Sequence, residues 1–186
     1  MKLTVEAGFI PELNEKQAEL LGLVLEAHNR AALDNPNASS GACVNAVAGT
    51  GRVENGIASA ILTLGPTHGP VQDARYVYEM FEPEHIRMYI DNGRKVPGFG
   101  NSFFRDGIDP AWKPVDQFIR EHFKRIALRI DGLTKAMSEA GKTLHPNAAL
   151  YTAAVCSEIG VQKGAEAALF IIARISAWVH LSLGNG

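Results

Sequence analysis

The sequence predicts an all-α domain. Apolar residues recur at helical spacing through most of the chain, and the breaks between those runs fall at Gly, Pro, Asn or Asp. Only Lys2 to Ala7 alternates as a short strand would. At 186 residues and 46% hydrophobic content the chain has the length and the apolar share for one domain with a single core. We divide it as one unit spanning 1–186, in which 13–93 and 142–186 form a packed helical core and 94–141 a smaller lobe-like loop and helix.

Asn14 caps the first helix, with Gln17 three residues on completing a capping box. Leu20, Leu21, Val24, Leu25 and His28 then fall on one stripe, and Asp34-Asn35-Pro36-Asn37 ends the helix. Ser39 or Ser40 opens a second helix through about Ala48. Gly49-Thr50-Gly51 interrupts it, and a third runs from about Val53 to Leu64. Gly49, Gly51 and Gly56 do not form a phosphate loop, because the spacing is wrong and no strand precedes them. Further helices are expected over Val71–Phe81 and Glu84–Asn92, the latter stopped by Gly93. Lys95 to Asn101 is a Gly/Pro loop, and Asp109-Pro110 closes that irregular segment. One long amphipathic helix is predicted from Pro114 to Glu139, stopped by Gly141. His145-Pro146-Asn147 opens a helix to Ile159. After the turn Val161-Gln162-Lys163-Gly164, a last helix runs to Leu183.

Net charge is −2, which gives no argument for nucleic acid or an anionic membrane as a partner. Cys43 and Cys156 sit singly in apolar helical patterns and read as small buried hydrophobes, with no metal or redox spacing. Met1 to Glu6 lacks the basic-then-apolar pattern of a leader, so a cytoplasmic protein is expected. The apolar run Ala165–Leu183 carries Glu166, Arg174 and His180, which fits a buried helix better than a membrane span. That run and the segment 42–64 are apolar around nearly their whole circumference. Helices of this kind need cover on all sides, and a chain this short has few enclosed positions. The expectation is a two-fold homodimer, or a higher assembly built from it, through Ala42–Phe81 and Ala165–Leu183.

Gly65-Pro66-Thr67-His68-Gly69-Pro70-Val71-Gln72 breaks the chain after a small-residue helix and presents one histidine there. A helix N-terminus favours neutral imidazole, which can donate a hydrogen bond to an enolate-like oxygen. A plain connecting-loop histidine is the alternative for this stretch taken alone.

Three stretches together resemble the citrate synthase superfamily, which includes the citryl-CoA lyases. The family's Gly-Pro-Leu-His-Gly-Gly-Ala-Asn is similar to 65–72. Its Gly-Phe-Gly-His loop ending in Asp-Pro-Arg is similar to Gly98-Phe99-Gly100-Asn101 ending in Asp109-Pro110-Ala111. Its Pro-Asn-Val-Asp-Phe-Tyr-Ser-Gly is similar to Pro146-Asn147-Ala148-Ala149-Leu150-Tyr151-Thr152-Ala153. A helix with Ala173-Arg174 and Trp178 follows in the same order. The resemblance implies a citrate synthase-like helical fold, truncated at the N-terminus relative to a full family member, and a two-fold dimer. It also implies a reaction in which an acyl-CoA loses an α-proton to an aspartate and adds to a 2-oxo acid. One histidine stabilises the enolate and another polarises the acceptor carbonyl.

Residue by residue, the resemblance implies that His68 is the enolate histidine. Asn101 stands at the second histidine and Ala149 at the aspartate, so the base is lost. Losing a positioned base costs a factor of roughly 10² to 10⁴. His28 and Arg174 match groups that hold the acid; on its apolar face alone His28 reads more often as a satisfied core histidine. Ala111 replaces an arginine, and a further C-terminal arginine of the family would fall beyond Gly186. Gly98, Phe99 and Gly100 match the loop that holds the adenine end of CoA, with Arg105 near its phosphates. Arg105 is then the one evident phosphate partner, and weak or absent CoA binding is expected. No covalent cofactor and no metal are implied; the ligands are a CoA thioester and a small acid. With no carboxylate placed near His68, the sequence favours a non-catalytic dimeric scaffold, assembly or binding protein with a degenerate site. The other reading is an active citryl-CoA lyase or citrate synthase-type enzyme that makes or breaks a C–C bond. A carboxylate within reach of His68 would decide between them.

Overall fold

A computed structural model describes residues 8, 10–34, 38–65 and 68–184. Among these the secondary structure is helical, with no strand. The alternating segment Lys2–Ala7 lies outside the described residues.

The helices are α1 (Glu15–Asp34), α2 (Ala38–Thr50), α3 (Val53–Leu62), α4 (Val71–Met80), α5 (Pro83–Asp91), α6 (Lys113–His122), α7 (Lys124–Glu139), α8 (Ala148–Ile159) and α9 (Glu166–Leu183), with a 3-10 turn at Pro110–Trp112. The first boundary forms as its sequence dictates. The Gln17 N–H donates to Asn14 Oδ1 at 2.9 Å and the Asn14 N–H to Gln17 Oε1 at 3.1 Å, satisfying two orphan donors of the first turn.

The single long helix expected over 114–139 is two. Phe123 leaves helical geometry, with φ −127° and ψ 64°, and separates α6 from α7. The break lets Arg120 of α6 reach back and clasp Asp131 of α7 through Nη1 and Nη2 at 3.1 and 3.0 Å. Ile119 and Ile126 are both fully buried on either side of it. They lie seven residues apart, so the apolar period runs through the break unchanged and gives no sign of it.

α8 is the central element. Nine of its residues are buried, from Ala149 through Cys156 and Ile159. It packs against α1, α4, α7 and α9. Tyr151 stacks on Trp112 at 5.7 Å and donates through its hydroxyl to Asp116 of α6 at 2.9 Å. Full burial of side chains of this kind contributes about 1.5–3 kcal/mol each. Helices from 94–141 thus share the principal core with α1, α4, α5 and α8.

A buried ionic network fixes α4 to the α8–α9 turn. Arg75 pairs with Glu166, which is 1% exposed, and also donates to Glu79 at 2.7 Å and to the Val161 carbonyl at 2.9 Å. Lys163 and Ser157 complete the shell around Glu79.

α9 is long and apolar enough to cross a membrane by length and composition. Its buried residues, Glu166, Leu169, Phe170, Ala173, Arg174, Ala177 and Trp178, lie on one stripe that faces the other helices. α2 and α3 pack so closely that a Cβ on Gly56 would lie 2.4 Å from Val47 Cγ2. The outward faces of this group are open: Leu62 is 85% exposed, Ile172 52% and Leu183 62%.

Candidate functional site

Two loops and two helix ends enclose an open cleft of about 850 Å³. One wall is the segment 93–103. Its glycines let it lie flat on α8: Gly98, at φ +91°, would bring a Cβ to 2.9 Å of Leu150 Cβ. The segment is pinned to the start of α8 by three hydrogen bonds: Asn147 N–H to the Gly98 carbonyl, Gly100 N–H to the His145 carbonyl, and Asn147 Nδ2 to the Gly100 carbonyl, each 2.9 Å. Asn147 also caps α8, its Oδ1 accepting from the Ala149 N–H at 3.0 Å. His145 stands just before this cap, its carbonyl accepting from the Gly100 N–H.

His68 enters from the opposite side. Paired backbone bonds between Gly65 and His68 close its turn, and Nε2 lies 3.2 Å from Ser39 Oγ at the start of α2. The ring is half-buried and meets Phe170 edge-on at 6.4 Å. Burial, and then the nearby Arg174 charge, lower its pKa and favour the neutral ring. The neutral form anticipated from a helix terminus has these two causes; the N-cap of α4 is Pro70, two residues further on.

Arg174 rises from α9 with its guanidinium over the Phe170 ring at 4.3 Å. It is 4% exposed, and its buried Nε and Nη1 have no hydrogen-bond partner. Burial lowers its pKa to about 10, against the pull of Asp109. A desolvated guanidinium with unfilled donors is the natural seat of a carboxylate.

Asn101 and Ala149 both line the cleft beside these two groups. Asn101 Oδ1 accepts from the Phe103 N–H at 2.9 Å, so Nδ2 is the end left to donate. Ala149 is buried against Val71, Ala74, Ala153 and Phe170 and brings no polar atom.

His28 differs from its expected place. It is fully buried, behind Phe170 and Trp112 with ring centroids at 4.8 Å to each, and is not part of the cleft wall. Thr152 donates its one proton to the Ala148 carbonyl at 2.7 Å, so it accepts from His28 Nε2 at 2.7 Å. That fixes the tautomer and leaves Nδ1 bare. Burial, reinforced by Arg174, lowers its pKa well below the ordinary value. The helical stripe that predicted a core histidine describes it, and any influence on a ligand passes through Phe170 and Arg174.

Arg105 is exposed and lies outside the cleft wall, as does the buried Ala111. The cleft has other cations instead: Arg94, stacked on Tyr89 at 4.1 Å, with Lys95 and Lys142. Sequence reasoning missed these three. The only signal was their position beside glycines at the two ends of the lobe. It also missed Asp109, in plain view before Pro110. Asp109 lines the cleft, is 9% exposed, and accepts through Oδ1 from the Ala111 N–H at 3.0 Å. It is the one carboxylate in the cleft wall among the described residues.

A wholly helical domain with a Gly/Pro loop laid across the start of a central buried helix and a histidine turn facing it has the citrate synthase-like fold. The family model for the citrate synthase C-terminal domain matches residues 9–181, and the chain belongs to that family. It is 27% identical over 198 residues to citrate synthase 2 of Bacillus subtilis, covering 94% of this chain and 50% of that one. Among solved structures, citryl-CoA lyase from Hydrogenobacter thermophilus superposes with a TM-score of 0.77 at 21% identity, over 93% of this chain and 70% of that one. The citrate synthase of Thermoplasma acidophilum, in a ternary complex with carboxymethyl coenzyme A and oxaloacetate, gives 0.69 at 22% identity, over 92% and 49%. The chain spans about half the length of the curated relatives it matches.

Proposed function

We propose that the cleft binds a CoA thioester beside a small oxo acid and acts in C–C bond formation or cleavage of the citryl-CoA lyase type, without ordinary citrate synthesis. The observation that carries this reading is the meeting of His68, Arg174 and Asp109 in one cleft that Arg94, Lys95 and Lys142 also line. A vestigial pocket has no need of a buried guanidinium with empty donors. In this reading the cations hold the phosphates and the 96–100 backbone lies along the adenine end. The thioester carbonyl reaches His68. Ser39 occupies Nε2, so Nδ1 is the nitrogen that faces the enolate oxygen. Arg174 holds one carboxylate of the acid, and Asn101 donates to its carbonyl. No covalent cofactor enters. Calorimetry with acetyl-CoA tests the reading. With Arg94, Lys95 and Lys142 lining the cleft in place of Arg105, the weak or absent binding expected from Arg105 alone is replaced by an expected dissociation constant below about 100 μM, or −5.5 kcal/mol; no heat of binding at millimolar ligand refutes it.

The exposed apolar residues of α3 and α9, beside the half-buried Val44 and Val47 of α2, support the homodimer, and they are also what a dimeric scaffold would present. Sedimentation at micromolar concentration is expected to give a dimer, and a stable monomer would contradict this. A dimer that fails to bind acetyl-CoA would leave the scaffold as the better reading.

A further inference from the structure

We propose that Asp109 is the proton acceptor of this cleft, taking the α-proton of the bound thioester in place of the side chain that Ala149 lacks. The inference rests on the thioester reading above and names the group that would make that reading catalytic.

The geometry singles Asp109 out. Glu166 is consumed by Arg75 and the Gly164 N–H, away from the cleft. Asp34 pairs with Arg30 at 3.4 Å and is not part of the wall. Asp109 faces the same space as His68, Asn101 and Ala149. Its Oδ1 is held by the Ala111 N–H, and Oδ2 makes no hydrogen bond or ion pair with any described residue. One oxygen thus fixes the carboxylate and the other is left to work. Pro110 follows directly and sets the turn that aims it.

The charges around it suit the task. Burial raises the Asp109 pKa from the ordinary aspartate value. The Ala111 N–H and Arg174 oppose that rise, and the Asp34 carboxylate adds to it. A base whose affinity for protons is lifted by its surroundings is better matched to a carbon acid. In the step itself, Asp109 Oδ2 takes the proton from the α-carbon. The C–H electron pair becomes the enolate double bond, and the carbonyl π pair moves to the oxygen that His68 holds. In cleavage Asp109 starts protonated: the hydroxyl proton passes to solvent as the C–C bond breaks to the enolate, and Asp109 gives its own proton to the α-carbon and is left as the carboxylate.

The test is proton counting with carboxymethyl-CoA, a thioether whose carboxylate lies where the enolate would form. Two carboxylates in contact cannot both stay ionised, so binding near pH 7.5 should take up about one proton. Calorimetry in two buffers of different ionisation enthalpy reads that number. Wild-type protein is expected to take up one proton, D109N to bind with none, and D34N to keep it. D109N retains the Oδ1 acceptor for the Ala111 N–H, and its circular dichroism should match the parent. Uptake unchanged in D109N, or binding by the parent with no uptake, would overturn the assignment while leaving the thioester reading intact. Failure of the parent to bind carboxymethyl-CoA at millimolar concentration would overturn both.

Discussion

Replacing Gly98 by alanine sets two separate costs on one methyl group. The backbone there has φ +91°, and the new Cβ would stand 2.9 Å from Leu150 Cβ, 3.1 Å from Leu150 Cδ1 and 3.4 Å from Ala74 Cβ. Left-handed backbone costs an L-residue roughly 1–2 kcal/mol. Forcing a methyl against atoms this close to a helix backbone, in a packed core, costs about 1–3 kcal/mol more. The sum is about 2–5 kcal/mol. At about 2–4 °C per kcal/mol for a chain of this size, the midpoint should fall by about 4–20 °C. Gly93 provides the control. It shares the positive φ, at +67°, but an added Cβ would meet nothing within 4 Å. Gly93→Ala should therefore show the backbone cost alone, a fall of about 2–8 °C. Both variants are compared with the parent at one protein concentration by thermal and urea unfolding, because self-association would make the midpoint depend on concentration. The two losses must differ by the clash. If Gly98→Ala unfolds no earlier than Gly93→Ala, the loop does not lie on α8 as described. Acetyl-CoA affinity should fall with Gly98→Ala, since the loop that moves is the cleft wall.

Glu166→Gln removes one of the two carboxylates that hold the buried Arg75 and leaves Glu79 as its remaining partner; the loss should stay below the roughly 3–5 kcal/mol of a fully broken buried pair, read as a shift in urea midpoint at unchanged slope. Glu79 should make stability fall in acid: burial alone would raise its pKa, but the hydrogen bonds from Lys163, Arg75 and Ser157 outweigh that and hold it at about 2, against 4.5 for the free group. Because the folded pKa is depressed, this contribution is full above about pH 4.5 and is lost as pH falls toward 2, and Glu79→Gln should flatten that part of the stability profile. With acetyl-CoA and oxaloacetate, no citrate is expected above background, since the proposed site offers the acid a single guanidinium, Arg174; thiol release at about 1 s⁻¹ or faster, abolished by His68→Ala, would refute this.

Most helices were legible because capping, period and punctuation agreed. Asn14 with Gln17, Pro83 after Glu82, and Asn147 before α8 each mark a boundary chemically. The Phe123 break was not legible, because neither Gly nor Pro stands there and the apolar stripe continues on both sides. At the site, His68, Asn101, Ala149 and Arg174 were found through short motifs, and the fold brings all four to one cleft. His28 could not be placed by pattern, because a stripe position says which way a side chain points but not what lies in front of it. Asp109 went unweighed for a related reason. Its sequence role, opening the Pro110 turn, fully explained it, and only the fold shows that one of its oxygens is left over.

The ring of Phe170 has a consequence beyond packing. One side chain meets the His68 edge, lies under the Arg174 guanidinium and walls off His28. The positions of the His68 ring and the Arg174 guanidinium are therefore not independent variables. Any exchange at 170 retunes both at once, and substitutions at 68 and 174 made on a changed ring will be non-additive. Asn101 rests on another support, the Phe103 N–H, so it can vary on its own. The cleft can be respecified along some of its walls while the Phe170-borne pair is inherited or lost as a unit.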